Sequence, residues 1–321
     1  MCESRKEDKP SVLVLMASYN GGKYISEQIE SILNQNDVEV SLHICDDGSN
    51  DETVDICCEY AEKFNNVSFS INHENKGLSK NFMDMVLSEN ADGFEYYAFS
   101  DQDDYWLPNK LIRAIDKLEE QVDGNPGLYY SDVENVDCNL EGGFREYSRW
   151  KSCNQELIAV LTVNWASGCT MVFNDQLRSV LLEYIPPSFP RIHDSWLHLV
   201  AFVSGVIVPD LDNSFIKRRL TGGNQVGLRD LENVESISST IKKWKKLATN
   251  SIHSQAEVAS YLLNGYGQSL SARDYKLIQL FASMPHSLKA RIAISRKLFL
   301  CPFPTRSMAC SFALKALMNR L

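Results

Sequence analysis

YYAFSDQDDYWLPNKL, residues 96–111, runs an apolar strand directly into Asp101, Asp103 and Asp104, three carboxylates within four positions. Trp106 and Pro108 follow, and then a helical pattern with Leu111, Ile115 and Leu118 on one face. Like charges packed this closely at a strand end repel one another unless a cation sits among them. Carboxylate oxygens suit a hard ion such as Mg²⁺ or Mn²⁺, which keeps coordination positions open for phosphate oxygens.

The same strand-then-helix rhythm holds upstream. SVLVLMAS (11–18) ends at the turn signal Tyr19-Asn20-Gly21-Gly22, and KYISEQIESILNQ (23–35) then places Ile25, Ile29, Ile32 and Leu33 at helical spacing. EVSLHIC (39–45) ends at Asp46-Asp47-Gly48, after which Ser49 and Glu52 read as a capping box. VSFSI (67–71) leads through NHENKGLSKN (72–81) to a helix with Phe82, Met85 and Val86 inward. Four such units predict an α/β fold with a mostly parallel sheet, right-handed crossovers and flanking helices. In such sheets ligands bind at the carboxyl ends of the strands. The polar groups at 19–20, 46–47, 75–81 and 101–104 should therefore gather along one edge.

Beyond residue 128 the rhythm weakens. GLYYSD (127–132) and GCTMVF (168–173) read as further strands and SWLHLVAFVSG (195–205) as a buried helix; past residue 230 the pattern is helical only, including KKWKK (242–246). The organisation expected is a tail at 1–10 without order, a sheet domain at 11–232 in two halves (11–127 and 128–232), and a helical extension at 233–321.

Composition sets bounds. An apolar fraction of 44% is ordinary for a globular chain. No apolar run reaches the ~18 residues of a spanning helix, and the start has no signal-peptide pattern. Nine cysteines without metal-ligand spacing suggest a reducing, cytoplasmic setting. The net charge of −10 divides into −18 over the first 274 residues and +8 over the last 47, because eight bases and no acid follow Asp274. Nucleic acid does not suit the acidic body, whereas a membrane surface suits the basic end. SLKARIAISRKLF (287–299) sets Leu288, Ile292 and Phe299 on one side, as an interfacial helix would.

Several site types are excluded. An EF-hand loop needs an oxygen ligand and then Gly where Tyr105 and Trp106 stand. NGGKY (20–24) lacks the upstream Gly and the Ser/Thr of a P-loop, and no G-x-G-x-x-G occurs.

Taken in order, SVLVLMASYNGGKYISEQIESILNQ, HICDDGSNDET, NKGLSKNF and SDQDDYWLPNKL resemble the nucleotide-sugar half of family 2 inverting glycosyltransferases, and SDQDDYW is most similar to rhamnosyltransferase-type members. The resemblance covers roughly residues 11–230 and implies the GT-A fold. It implies that Tyr19, Asn20 and Glu27 lie at or under the base and ribose, that Asp47 with Asp46 contacts the nucleobase, and that Lys80 and Asn81 face the nucleotide. Asp101 would hold the ribose and share with Asp103 the binding of a Mn²⁺ or Mg²⁺ cofactor, Asp104 being a third member. Plainer roles compete: Asn20 as a turn former, Glu27 as a solvated helix face, Lys80 as a surface charge.

On the acceptor side, WASGCTMVFN (165–174) resembles the strand forming the floor, with Gly168 and Cys169, and RIHDSWLHL (191–199) resembles the segment carrying the catalytic base, which falls on Asp194 beside Trp196. Asp194 could equally cap a helix beginning at Ser195, and His193 is an alternative proton acceptor. FIKRRLTGGNQVG (215–227) departs from the family: Arg219 matches its Arg, but Thr221 stands where a His is usual, leaving Lys217, Arg218 or Arg219 to balance diphosphate charge.

The resemblance thus implies an inverting transferase that moves a sugar from a nucleoside diphosphate donor, dTDP-rhamnose or a UDP-hexose, to a glycan or lipid-linked acceptor in surface polysaccharide synthesis. It would act in the cytoplasm or at the inner face of the membrane. The rival readings are a non-catalytic binding module on the same fold and a sugar-phosphate nucleotidyltransferase.

Overall fold

A computed structural model describes residues 9–153, 156–220 and 254–321. Thr221, the KKWKK segment, the boundary at 232/233 and most of the expected tail lie outside the described residues.

The chain divides into two compact units, Met1–Lys151 with Asn164–Arg219, and Ser152–Val163 with Leu220–Leu321. The first opens with the expected units: β1 (Ser11–Ser18), α1 (Ile25–Leu33), β2 (Glu39–Asp46), α2 (Thr53–Lys63), β3 (Val67–Ile71), α3 (Leu78–Val86), β4 (Tyr96–Ser100), β5 (Tyr105–Trp106) and α4 (Lys110–Val122). It continues through β6 (Gly127–Val136), β7 (Phe144–Arg145), β8 (Val172–Asn174), α6 (Asp175–Glu183), α7 (His193–Ser204) and β9 (Val206–Arg219); α5 (Leu157–Thr162) belongs to the second unit.

The sheet order is β3-β2-β1-β4-β8-β6-β9-β5, with β7 beside β6. From β3 to β4 every pairing is parallel, as the strand–helix alternation requires. The expected mostly parallel sheet stops there. β8 runs antiparallel to both β4 and β6, and β5 is antiparallel to β9, leaving only β6–β9 parallel in that half. β8 is only three residues long, too short to carry a period from which its direction could be read.

Helix faces follow their apolar spacing. α1 buries Ile25, Ile29 and Ile32, and α4 buries Leu111, Ile115, Leu118 and Val122 before the left-handed pair Asp123 (φ 45°) and Gly124 (φ 74°) ends it. The expected capping box does not form. α2 starts at Thr53 without a side-chain cap, because the Ser49 hydroxyl is engaged by Asp46.

Among the described residues the second unit holds α5 and four later helices, α8 (Ser254–Tyr266), α9 (Ala272–Ser283), α10 (Leu288–Leu300) and α11 (Arg306–Leu317). α8 packs on α9 and α10 on α11 around Leu262, Ile278, Phe281, Ile294 and Leu298. Among the described residues no helix is long and apolar enough to cross a membrane.

Candidate active site

Short side chains stitch the strand ends together. At the tip of β1, Ser18 Oγ donates to Asp46 Oδ1 at 2.9 Å, while the Gly48 and Ser49 N–H groups donate to Oδ2 at 3.0 and 2.7 Å. Ser49 Oγ donates to Asp46 as well, so this fully buried carboxylate is engaged within its own turn, where Gly48 takes φ 88°. Asn20 sits in the left-handed region at φ 50°, which Asn tolerates. Its N–H donates to Ser49 Oγ (2.8 Å) and its Oδ1 accepts from the Asn50 N–H (2.9 Å). Tyr19 beside it is 47% exposed.

Asp47 faces the next loop. It accepts from Asn72 Nδ2 (2.9 Å) and from the Lys76 and Gly77 N–H groups (2.8 Å each). Asn81 is buried and bridges the same region, donating to the Cys45 carbonyl and accepting from Asn72. Lys80 turns along its own helix to pair with Asp84 at 2.8 Å.

The acid loop that follows β4 is clamped from two sides. The side-chain amide of Gln102 accepts from the Tyr19 N–H (2.8 Å) and donates to the Tyr19 carbonyl (3.0 Å). A Cβ on Gly21 would stand 2.1 Å from Gln102 Oε1, so only glycine lets the amide approach. From below, buried Arg219 donates to the Asp103 and Asp104 carbonyls (3.1 and 3.2 Å), pairs with Glu27 and lies 4.7 Å over the Tyr24 ring. Glu27 and Arg219, both expected at the donor, hold each other and the backbone of the acid loop. Arg218 is bound to Asn135 and Glu146, and Lys217 to the Leu140 carbonyl.

Asp101 and Asp104 of the loop and Cys169, from the turn ahead of β8, bring ligand atoms within 4.8 Å of one another; Asp103 is not part of that group. Asp104 is buried, and neither of its carboxylate oxygens has a hydrogen-bond partner. Burial and the charges of Asp101 and Asp103 raise it well above the usual carboxylate range, while burial and Asp103 lift Asp101 to about 6. Burial also pushes the Cys169 thiol up, so it stays protonated and is a poor ligand for a hard ion. A cluster of acids with orphaned buried oxygens fits a divalent cation held by the carboxylates.

Asp194 lies in the first turn of α7, where the helix dipole favours a carboxylate. The helix begins at His193, so Asp194 is inside it, and Ile192 holds the capping position. Its Oδ2 accepts from the Gly168 N–H at 3.0 Å and its Oδ1 has no partner. Burial raises its pKa to about 7, the Gly168 and Ser195 N–H groups pull against that, and the charge of Asp101 adds to it. The last effect joins Asp194 electrostatically to the acid loop. Gly168 is held to its identity by crowding, since a Cβ would meet His193 Nε2 at 2.9 Å and Asp194 Cβ at 3.3 Å. His193 is stacked on Phe82 (4.1 Å between ring centres) and edge-on to Phe99, and burial depresses it to about 3. It stays neutral and enclosed, which removes it as the alternative proton acceptor. Trp196 and Cys169 are buried, 3% and 2% exposed.

Two residues escaped the sequence reading. Gln102 is the spacer between Asp101 and Asp103, and no motif logic gives a spacer a task. Lys110 is 1% exposed, with Nζ 3.5 Å from the centre of the Trp106 ring. Burial lowers its pKa to about 7 against the pull of Cys169 and Asp104. Helical spacing held the signal: Lys110 precedes the buried Ala114 and Leu118 by four and eight positions.

Residues 13–169 match the model of glycosyl transferase family 2. That segment belongs to the family.

This family 2 member is 39% identical over 120 residues to dTDP-rhamnosyl transferase RfbG of Shigella flexneri, an overlap of 37% of this chain and 40% of that protein. It is 29% identical over 196 residues to glycosyltransferase GlyG of Streptococcus pneumoniae, 60% of each chain. The matches thus span only part of these relatives' lengths. Among solved structures, S. aureus TarS 1–349 superposes with a TM-score of 0.58 at 15% identity, over 96% of this chain and 90% of that one. The same protein in complex with UDP gives 0.56 at 17% identity, over 97% and 89%. At that identity the likeness speaks for architecture: the family 2 member has the GT-A fold, with helices appended at its C-terminal end.

Proposed function

We propose that this family 2 member is an inverting transferase that moves one sugar from a nucleoside diphosphate donor to a glycan or lipid-linked acceptor, with Asp194 as the base. The observation that supports it most is the electrostatic reach of Asp101 onto a buried Asp194 with one free oxygen. An acid loop suited to diphosphate and cation would then lie within range of a group able to take a proton from an incoming hydroxyl.

The donor end would be formed by the exposed Tyr19 and by Asp47, whose carboxylate would exchange loop N–H groups for base edges. Asp46, Asn20, Asn81, Glu27 and Arg219 would shape that end through the bonds described, without touching the donor. Asp101 and Asp103 would hold Mn²⁺ or Mg²⁺ with Asp104 behind them, and the ion would neutralise charge on the departing diphosphate. That help at the leaving group is why one base suffices, whereas glycoside hydrolysis usually needs two carboxyl groups. Asp194 would accept the acceptor proton as the C1–O bond breaks. A pKa near 7 places the base close to working pH, where general-base help is worth about 10²–10⁴-fold. Gly168 and Cys169 would line the acceptor side, with Trp196 packed behind the base.

The identity to a dTDP-rhamnosyl transferase favours dTDP-rhamnose, and the likeness to a structure solved with UDP keeps UDP-hexoses in play. The role proposed with this donor is surface polysaccharide synthesis on the cytoplasmic side. The domain limits we propose are a catalytic domain near 11–232 and a helical extension near 233–321. A thermal-shift screen of dTDP-, UDP- and GDP-sugars with Mn²⁺ tests the reading. One donor class should stabilise the protein only with the cation and then release nucleoside diphosphate slowly. Stabilisation by none of them, or by a sugar phosphate with nucleoside triphosphate, would overturn it.

A further inference from the structure

We infer that the outward side of α10 is a docking face for an anionic lipid bilayer. α10 buries Ala290, Ile294 and Leu298 and leaves Leu288, Ile292 and Phe299 exposed at 58%, 37% and 43%. With 3.6 residues per turn these three fall within about 40° of arc, on the far side of the helix from the buried row. Leu300, at the helix end, is 75% exposed. The apolar stripe is bracketed by bases. Lys289 and Arg296 are exposed along one flank, and Arg291 lies on the other. The Arg306 guanidinium sits 4.1 Å over the Phe299 ring and donates to its carbonyl at 2.7 Å.

The chemistry selects the occupant. α10 contains four bases and no acid, and no acid follows Asp274 anywhere in the chain. A second copy of this face would set cation against cation. An anionic bilayer offers both complements at once: acyl chains for the stripe and phosphates for the flanks. Each base near an anionic leaflet strengthens binding about fivefold, and salt weakens that share. The proposed transferase would gain access to a lipid-linked acceptor in this way. The inference rests on the transferase reading for that purpose alone, and vesicle binding is measured without donor or acceptor, so the two can fail separately.

The test is co-sedimentation of the full chain with vesicles of phosphatidylcholine alone or mixed with phosphatidylglycerol. Binding is expected only to the mixed vesicles and should fall as salt is raised. Ile292→Glu/Phe299→Glu should abolish it, whereas Leu182→Glu/Ile185→Glu, equally apolar and exposed on another helix end, should leave it intact. Lys289→Gln/Arg296→Gln keeps the stripe and should weaken binding about thirtyfold. Thermal melts establish that each variant is folded. Binding to neither vesicle, equal binding to both, or equal loss in both glutamate pairs overturns the inference. So does self-association abolished by the α10 pair without vesicle binding, which would make the face a contact between copies.

Discussion

The side-chain amide of Gln102 closes on the backbone of Tyr19 through both of that residue's hydrogen-bonding groups, N–H at 2.8 Å and carbonyl at 3.0 Å. In effect it extends the β1–β4 pairing past the sheet and fixes the exposed Tyr19 relative to the acid loop. Gln102→Ala should raise the donor KM about tenfold or more with little change in melting temperature, because both partners are surface backbone groups that water can satisfy. Gly21→Ala should mimic it, since its Cβ would displace the amide. Steady-state kinetics with a melt of each variant decides; unchanged KM in both would refute the clamp.

Asp194 yields a pH prediction. A base with a pKa near 7 is charged only above it, so kcat/KM should climb about tenfold per pH unit up to about 7 and then level. Asp194→Asn should cut transfer by at least about a hundredfold, leave donor binding unchanged and erase that rising limb. A variant with near-full activity would mean another group takes the proton.

Gly168→Ala probes the same residue from outside. The added methyl would press on His193 and Asp194 Cβ, moving the carboxylate off the Gly168 N–H. Loss of about 10–100-fold in kcat with unchanged donor affinity is expected, read by kinetics beside calorimetry. Weakened donor binding instead would place this crowding on the donor side.

The acid loop should respond to a divalent cation. Asp104→Asn relieves the penalty that burial and the neighbouring acids place on this carboxyl, so without metal it should stabilise the fold by about 1–2 kcal/mol. Mn²⁺ should raise the melting temperature of the wild type and fail to do so for Asp103→Ala. Thermal shift with and without Mn²⁺ reads both. A wild-type melt indifferent to the ion would contradict the fit.

Buried histidines make stability depend on pH with a defined sign. His193 and His198 are held near 3 by burial, far below the ~6.5 of the unfolded chain. Between those values only the unfolded state takes up the proton, so their contribution is complete above 6.5 and is lost as pH falls toward 3. Asp194, raised to about 7, has the opposite sign in the same window, so the measurement is a difference. The stability gap between wild type and His193→Gln should narrow by about 2 kcal/mol from pH 7 to pH 5. Denaturant titrations at both values check it; a constant gap would mean His193 is reached by solvent.

What the sequence disclosed follows from how far each signal reaches. Alternation of strands and helices is local, so β1 to α4 and their buried faces were legible from spacing alone. Strand direction beyond β4 is a tertiary property, and the three residues of β8 carry no period from which to read it. Ordered motifs located the acid loop and Asp194 but not the division of labour within it. Glu27 and Arg219 are 192 positions apart in sequence, and only their meeting shows them to be a brace. The same holds for Asp46, whose carboxylate is spoken for by groups within its own turn and by Ser18, and for Lys80, whose partner lies one helical turn away.

The path of α5 has a practical side. Leu157, Ile158, Val160 and Leu161 are buried, and their segment belongs with helices that come about a hundred residues later, although it is encoded in the middle of the sheet unit. Deleting everything after β9 would strip that helix of its neighbours and turn four aliphatic side chains toward water. A shortened gene product ending at Arg219 should therefore accumulate as insoluble material, whereas excising residues 152–163 together with the C-terminal helices would spare the sheet unit that exposure.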